Sequence, residues 1–322
     1  MEAVARRYPW LYEPYQDCIL SPDCDGLLCG LMMSHFLSWK VRGFYDGKVL
    51  VCSRNVDPAN CIFLDMEIYR EQVRSVGQHM LLYNRNRPPN NWNEFDNCFA
   101  INNLRGHDGS HDFALKYPFG TIHFLIVALN AKIPIYLTEQ SISPLLFTDG
   151  TYHNLFRYTE NSYNWLHYLR CDEDGNPLRI VFDNQQHTIH SLMTMMMEFW
   201  KARDAISSIR GQRADRVAIT RRGGVGDAFN LEEDDNGFYR FIPEPKDRAE
   251  AFLRLLADRM GWLYCSDDWS WQGWRKFQFT KETVENMTID GFDELTARRP
   301  LSFAMTAGRR YEYTIEEPDT AF

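Results

Sequence analysis

Short apolar blocks separated by amphipathic ones dominate the first half of the chain. Asp17-Cys18-Ile19-Leu20-Ser21 predicts a strand. Gly26 to Lys40 has helical spacing, with Leu27, Leu28, Leu31, Met32 and Phe36 on one side. Lys48 to Cys52 and Cys61 to Asp65 predict a second and a third strand. Glu67 to Val76 reads as a polar helix closed by Gly77, and His79-Met80-Leu81-Leu82-Tyr83 as a fourth strand. These strands are short, apolar on both faces and separated by helices. That pattern predicts an α/β fold with a parallel sheet covered on both sides.

Asn84 to Asn97, rich in Asn, Arg and Pro, reads as loop. Phe119 to Ala131 predicts an apolar helix, and Ile142 to Phe147 leads into Thr148-Asp149-Gly150-Thr151. Another helix is expected over Asn161 to Leu169, followed by a turn over Asp172 to Pro177. A long helix spans about His187 to Ile209. Its stripe of Ile189, Met193, Met196, Trp200 and Arg203 reads as core packing or as a bridge between domains. Beyond it come Gly-rich turns, acidic loops and many tryptophans. The expected organisation is an α/β domain over 1–185, a linker helix over 186–210 and a smaller α+β substrate-binding or partner domain over 211–322. In the last part, Pro300 to Met305 and Tyr311 to Ile315 read as strands around a Gly308-Arg309-Arg310 turn.

Length and composition agree with two globular domains: 322 residues, 44% hydrophobic and 25% charged. The apolar run with the best claim to a membrane span, Gly120 to Leu137, contains His123, Asn130 and Lys132. Residues Met1 to Arg7 lack the apolar core of a signal peptide. A cytoplasmic location without a membrane partner is the expectation. The eight cysteines form no CxxC pair, which argues against a structural zinc site and a disulfide framework. A net charge of -9 argues against binding nucleic acid through bulk charge, but leaves room for a local basic groove or a metal site. No Gly-x-Gly-x-x-Gly follows the first strand, and no P-loop is present.

In an open parallel sheet, functional groups collect outside the carboxyl ends of the strands. Asp23 and Asp25 follow the first strand in Ser21-Pro22-Asp23-Cys24-Asp25-Gly26. Asp65 ends the third, and Asp149 follows the Ile142–Phe147 segment. Any one of them can be an N-cap. Four converging carboxylates, however, repel one another unless a cation lies between them, and hard oxygen ligands favour Mn²⁺ or Mg²⁺. One or two such ions activate water and neutralise phosphate, the chemistry of phosphoester hydrolysis.

Ile19-Leu20-Ser21-Pro22-Asp23-Cys24-Asp25-Gly26-Leu27 resembles the first motif of the DHH phosphoesterase superfamily, which includes RecJ-like exonucleases and oligonucleotide phosphodiesterases. Phe63-Leu64-Asp65 resembles the second motif, and Leu145 to Thr151, with Asp149, is similar to the fourth. The resemblance covers roughly residues 15–170. It implies a five-stranded parallel sheet, a linker helix and a smaller substrate-binding domain, with metal on Asp23, Asp25, Asp65 and Asp149. The family carries Asp-His-His at the end of the fourth strand. This chain has no Asp-His-His, and its expected fourth strand runs into Asn84-Arg85-Asn86.

Two readings follow. Either the site is rebuilt, with His107, Asp108 or His111 of Gly106-His107-Asp108-Gly109-Ser110-His111-Asp112 standing in as catalytic groups, or metal is lost and the fold serves binding or assembly. Asn84 and Arg85 remain available to a phosphate in both. Arg221 and Arg222 with Gly223 and Gly224 form the candidate phosphate loop of the last part, weakened by the lack of the family's Gly-Gly-His form. Trp262, Trp269, Trp271 and Trp274, near Arg275 and Lys276, read as strand core or protein interface, or else as a stacking platform for single-stranded bases. The function expected is a metal-dependent phosphoesterase acting on a nucleotide or short single-stranded oligonucleotide. The alternative is a catalytically degenerate subunit with a protein partner or a second copy of itself.

Overall fold

The computed structural model describes residues 1–92, 97–206, 216–219 and 230–316. Its first strands are β1 (Asp17–Leu20), β2 (Lys40–Tyr45), β3 (Val49–Ser53), β4 (Ile62–Leu64), β5 (Arg74–Gly77) and β6 (Cys98–Ala100). Later come β7 (Leu231–Glu233), β8 (Tyr239–Phe241), β9 (Trp274–Gln278), β10 (Thr280–Val284), β11 (Ser302–Ala307) and β12 (Arg310–Ile315). They build a nine-stranded sheet in the order β6-β5-β4-β1-β2-β3-β9-β8-β7 and a three-stranded sheet in the order β10-β12-β11. The α/β class is as expected. The sheet, however, is large and mixed, not parallel and five-stranded.

The reason lies in one hairpin. Strands β6, β5, β4, β1 and β2 pair in parallel, but β2 and β3 are antiparallel neighbours. Asp46 Oδ1 accepts the N–H groups of Lys48 (2.9 Å) and Val49 (2.8 Å), and Gly47 has φ +84°, so the chain reverses tightly between them. The reversal leaves β3 with a free edge, and β9 pairs with it antiparallel over five residues, Val49 to Ser53. Residues 231–278 thus extend the sheet begun by the N-terminal half.

Three sequence expectations change. The helix expected to reach Lys40 ends at Leu37, where Ser38 takes a left-handed conformation (φ 56°), and β2 begins at Lys40. No helix forms over 67–76, because Glu67 is drawn into the interior and Arg74–Gly77 pairs between β4 and β6. Residues 79–83 join no sheet; Met80, Leu81 and Tyr83 instead form a cluster with Phe292, Phe303 and Tyr311 of the C-terminal part. Their apolar character serves the contact between the two sheets.

Helices Cys24–Leu37 and Thr121–Asn130 pack on each other, and Ile189–Ile206 packs on Ile142–Phe147 and Pro243–Met260. Of the methionine stripe, Met196 is buried, while Ile189, Met193 and Trp200 keep exposed surface. Trp262, Trp269, Trp271 and Trp274 are all buried in one cluster, Trp271 and Trp274 against Phe44 and Phe241, Trp262 against Phe36 and Trp269 against Tyr264, so their role is core and they offer no free face to a base. The strands expected over 300–305 and 311–315 are present as β11 and β12. Among the described residues no helix is long and apolar enough to cross a membrane.

Candidate metal centre

The turn after β1 is fixed by contact. A Cβ on Gly26 would lie 2.0 Å from the Ser21 carbonyl oxygen, so glycine alone fits. Asp23 is the N-cap of the Cys24–Leu37 helix and accepts the Gly26 N–H at 3.3 Å. Asp25 points into the interior. Its two oxygens accept the N–H groups of Thr121 (2.6 Å) and Ile122 (2.9 Å), at the N-terminus of the Thr121–Asn130 helix. A side chain at Gly120 would come within 2.9 Å of both oxygens. Asp25 is therefore the electrostatic anchor of a distant helix.

Asp65 follows β4 and is fully buried. Its Oδ1 accepts the Thr121 hydroxyl at 2.8 Å, and its Oδ2 is buried without a hydrogen-bond partner. Asp149 follows a short helix, and its Oδ2 accepts the Gln78 amide at 2.5 Å. Both aspartates are left-handed, with φ 59° at Asp65 and 52° at Asp149. Strain of this kind concentrates at functional positions. His79 completes the group: ligand atoms of Asp65, His79 and Asp149 all lie within 4.8 Å of one another.

The charges are unbalanced. Burial, then Asp25, Asp23 and Asp149, holds the Asp65 carboxyl well above the usual range. Asp149 is pushed up to about 8 by desolvation of its carboxyl, then by Asp25 and Asp23. Asp25 is raised by burial and Asp23 in spite of its two amide donors. Burial opposes the His79 cation, but Glu67 and Asp149 outweigh it and the imidazole is raised. Lys116, lowered by burial, is a further cation within electrostatic reach of Glu67 and Asp149, and its Nζ donates to the Met305 carbonyl at 3.1 Å. Two carboxylates and an imidazole, with one oxygen of Asp65 left unpartnered, make a donor set suited to Mn²⁺ or Mg²⁺.

Two clefts flank the group. One, of about 240 Å³, is lined by Asp23, His79, Arg216, Lys281, Thr306 and Tyr313. The other, of about 300 Å³, is lined by Gln78, Lys116, Tyr117, Asp149, Tyr158 and Thr306. The three-stranded sheet supplies Thr306 to both, so it forms the wall opposite the strand ends.

The four aspartates expected at the metal thus divide. Asp65 and Asp149 join His79, Asp23 stands on the cleft wall, and Asp25 holds backbone amides while its carboxyl also meets that of Asp65. The loop with His107, Asp108 and His111 is organised around Asp108. That carboxylate accepts the N–H groups of Arg85 (2.9 Å) and His111 (2.8 Å) and contacts His111 Nδ1 at 2.9 Å. His107 packs edge-on against Trp165. None of these three belongs to the convergent group. Asn84 turns its side chain onto the Asn86 N–H, and Arg85 pairs with Asp112 at 3.0 Å. Arg221, Arg222, Gly223 and Gly224 lie outside the described residues.

Sequence reasoning missed His79, Gln78 and Glu67, because it placed the fourth strand five residues late. The signal available was Gly77, whose Cβ would sit 2.4 Å from Glu67 Oε2; it marks a close approach within a strand rather than a helix end. No family model matches this chain, and no curated protein or solved structure matches it.

Proposed function

We propose that the chain is a metal-dependent phosphoesterase that hydrolyses a phosphodiester or phosphate in a nucleotide or short oligonucleotide. The observation that carries this reading is the convergence of Asp65, His79 and Asp149, with one oxygen of the buried Asp65 left without a hydrogen-bond partner. These three residues would hold Mn²⁺ or Mg²⁺, which when bound supplies water activation and charge neutralisation at phosphorus. Lys116 and Arg216, one in each cleft, are cations placed to hold a phosphate. Asp23 caps the helix through Oδ1 and lines the cleft beside His79. The sequence resemblance over Ile19–Leu27, Phe63–Asp65 and Leu145–Thr151 supports the same reading. The two clefts are small, and the chain is acidic overall, which favours a short substrate over duplex nucleic acid.

The test is calorimetric titration of chelator-stripped protein with Mn²⁺, followed by a nucleotide hydrolysis screen. Micromolar binding is expected, lost in His79→Ala and in Asp149→Ala. No heat at millimolar Mn²⁺ refutes the proposal. A second reading, a binding or assembly subunit, is favoured by the exposed apolar side chains Ile189, Met193, Met197 and Trp200 on one helix. A metal-silent protein that sediments as a stable oligomer would select it.

A further inference from the structure

Glu67 is a carboxylate in the interior, 1% exposed, outside the convergent group. A buried charge of this kind is costly unless something holds it. Its Oε1 accepts two backbone N–H groups, from His79 and Met80, each at 2.9 Å. Its Oε2 has no hydrogen-bond partner and lies 3.5 Å from His79 Nδ1, which is itself buried and unpartnered. Asp65 Oδ1 also approaches Nδ1, at 3.8 Å, but that oxygen already receives the Thr121 hydroxyl. Glu67 Oε2 is the nearer and the uncommitted acceptor. The opposite ring nitrogen, Nε2, is 3.4 Å from the Gln78 amide nitrogen, which donates to Asp149. One edge of the imidazole therefore faces Glu67, and the other faces the Gln78 amide that reaches Asp149.

From this geometry we infer that Glu67 is a positioning residue: it accepts a hydrogen bond from His79 Nδ1–H and so fixes the tautomer whose Nε2 lone pair is presented to the cation. The inference rests on the metal-centre reading above and adds a residue to it. A carboxylate behind a ligating histidine sets ring orientation, tautomer and basicity. Glu67 does so from a doubly anchored position, because its backbone contacts hold the loop that carries His79. Gly77 belongs to the same device, since any side chain there would occupy the space of Oε2.

Glu67→Gln inverts one polarity and keeps the rest. The amide oxygen still accepts the two backbone N–H groups, while the NH₂ now faces Nδ1 and forces the proton to Nε2. The experiment reads the His79 ring nitrogens by ¹⁵N NMR in metal-free protein above the histidine titration, and Mn²⁺ affinity by calorimetry. Wild type should show the proton on Nδ1 and Glu67→Gln on Nε2, with Mn²⁺ affinity about 10- to 100-fold weaker in the variant. A wild-type proton on Nε2 overturns the inference, and so does a variant with unchanged tautomer and unchanged affinity. The wild-type spectrum decides the matter even if the variant fails to fold. If neither protein binds Mn²⁺ but the tautomers switch, the metal-centre reading falls and the Glu67–His79 pairing stands.

Discussion

The crowded carboxylates of the centre should make the metal-free protein less stable than it would be without them. Asp65→Asn isolates this effect. Asn tolerates the left-handed backbone that residue 65 adopts, and its carbonyl can keep the Thr121 hydroxyl bond. Ligand atoms of Asp65 and Asp149 lie within 4.8 Å, where two ionised carboxylates repel by about 3.5 kcal/mol at an effective dielectric of about 20. Asp149 retains exposed surface, and solvent screening brings this to about 1–2 kcal/mol. For a 322-residue chain with about 2.1 cal/mol/K of unfolding entropy per residue, that is about 1.5–3 °C in Tm. The pH dependence follows from the direction of the shifts. Asp65 and Asp149 are raised in the folded state, so the folded chain holds protons that the unfolded chain releases near pH 4. The favourable contribution of Asp149 is complete below pH 4 and is lost as pH rises through about 8, and that of Asp65 is lost as pH rises through its own raised value. In chelator, the variant should melt with the wild type at pH 4 and above it at pH 8 to 9. Mn²⁺ at about 1,000 times its Kd should add about 4 kcal/mol, or about 6 °C, to the wild type only. Scanning calorimetry across pH 4–9 checks all of this. A chelated Asp65→Asn that melts lower than wild type at pH 8, or that keeps the Mn²⁺ shift, refutes the reasoning.

Asp25→Asn should act with the opposite sign, because it turns one acceptor into a donor against the Thr121 or Ile122 N–H. The cost is about 1–3 kcal/mol, measurable by urea unfolding in chelator, and a stabilised variant would contradict the anchoring role. His107→Ala and His111→Ala should leave Mn²⁺ affinity unchanged, with about 0.5–1.5 kcal/mol lost at His111 through its contact with Asp108. Weaker Mn²⁺ binding in either would bring that loop back into the centre.

Asp65 and Asp149 were legible in the sequence because strand ends in an α/β sheet are few and each acid closes an apolar run. His79 was not. Arg74-Ser75-Val76-Gly77 offers one apolar side chain larger than glycine, so strand β5 has almost no hydrophobic signature. Met80 to Tyr83 has a strong one, but its burial comes from Phe292, Phe303 and Tyr311 over two hundred residues later. A local pattern cannot say which distant surface it will meet. Glu67 was hidden for a related reason, since a glutamate in a polar stretch signals solvent and this one is interior. The antiparallel half of the sheet was missed because β9 lies among tryptophans whose partner strand is at residues 49–53.

Strand β9 ends at Gln278 and β10 begins at Thr280, so the two sheets are joined there through a single buried residue, Phe279. A flexible tether is absent at this junction, and one ribbon turns from the large sheet directly into the small one. The wall carrying Thr306 is therefore bolted to the frame that carries Asp65. Domain swinging about this join would have to break the hydrogen bond from the Phe279 N–H to the Lys48 carbonyl and pull an aromatic ring from the core. Traffic to and from the strand ends is left to side chains and loops, and the fold works as a fixed slot rather than as a jaw.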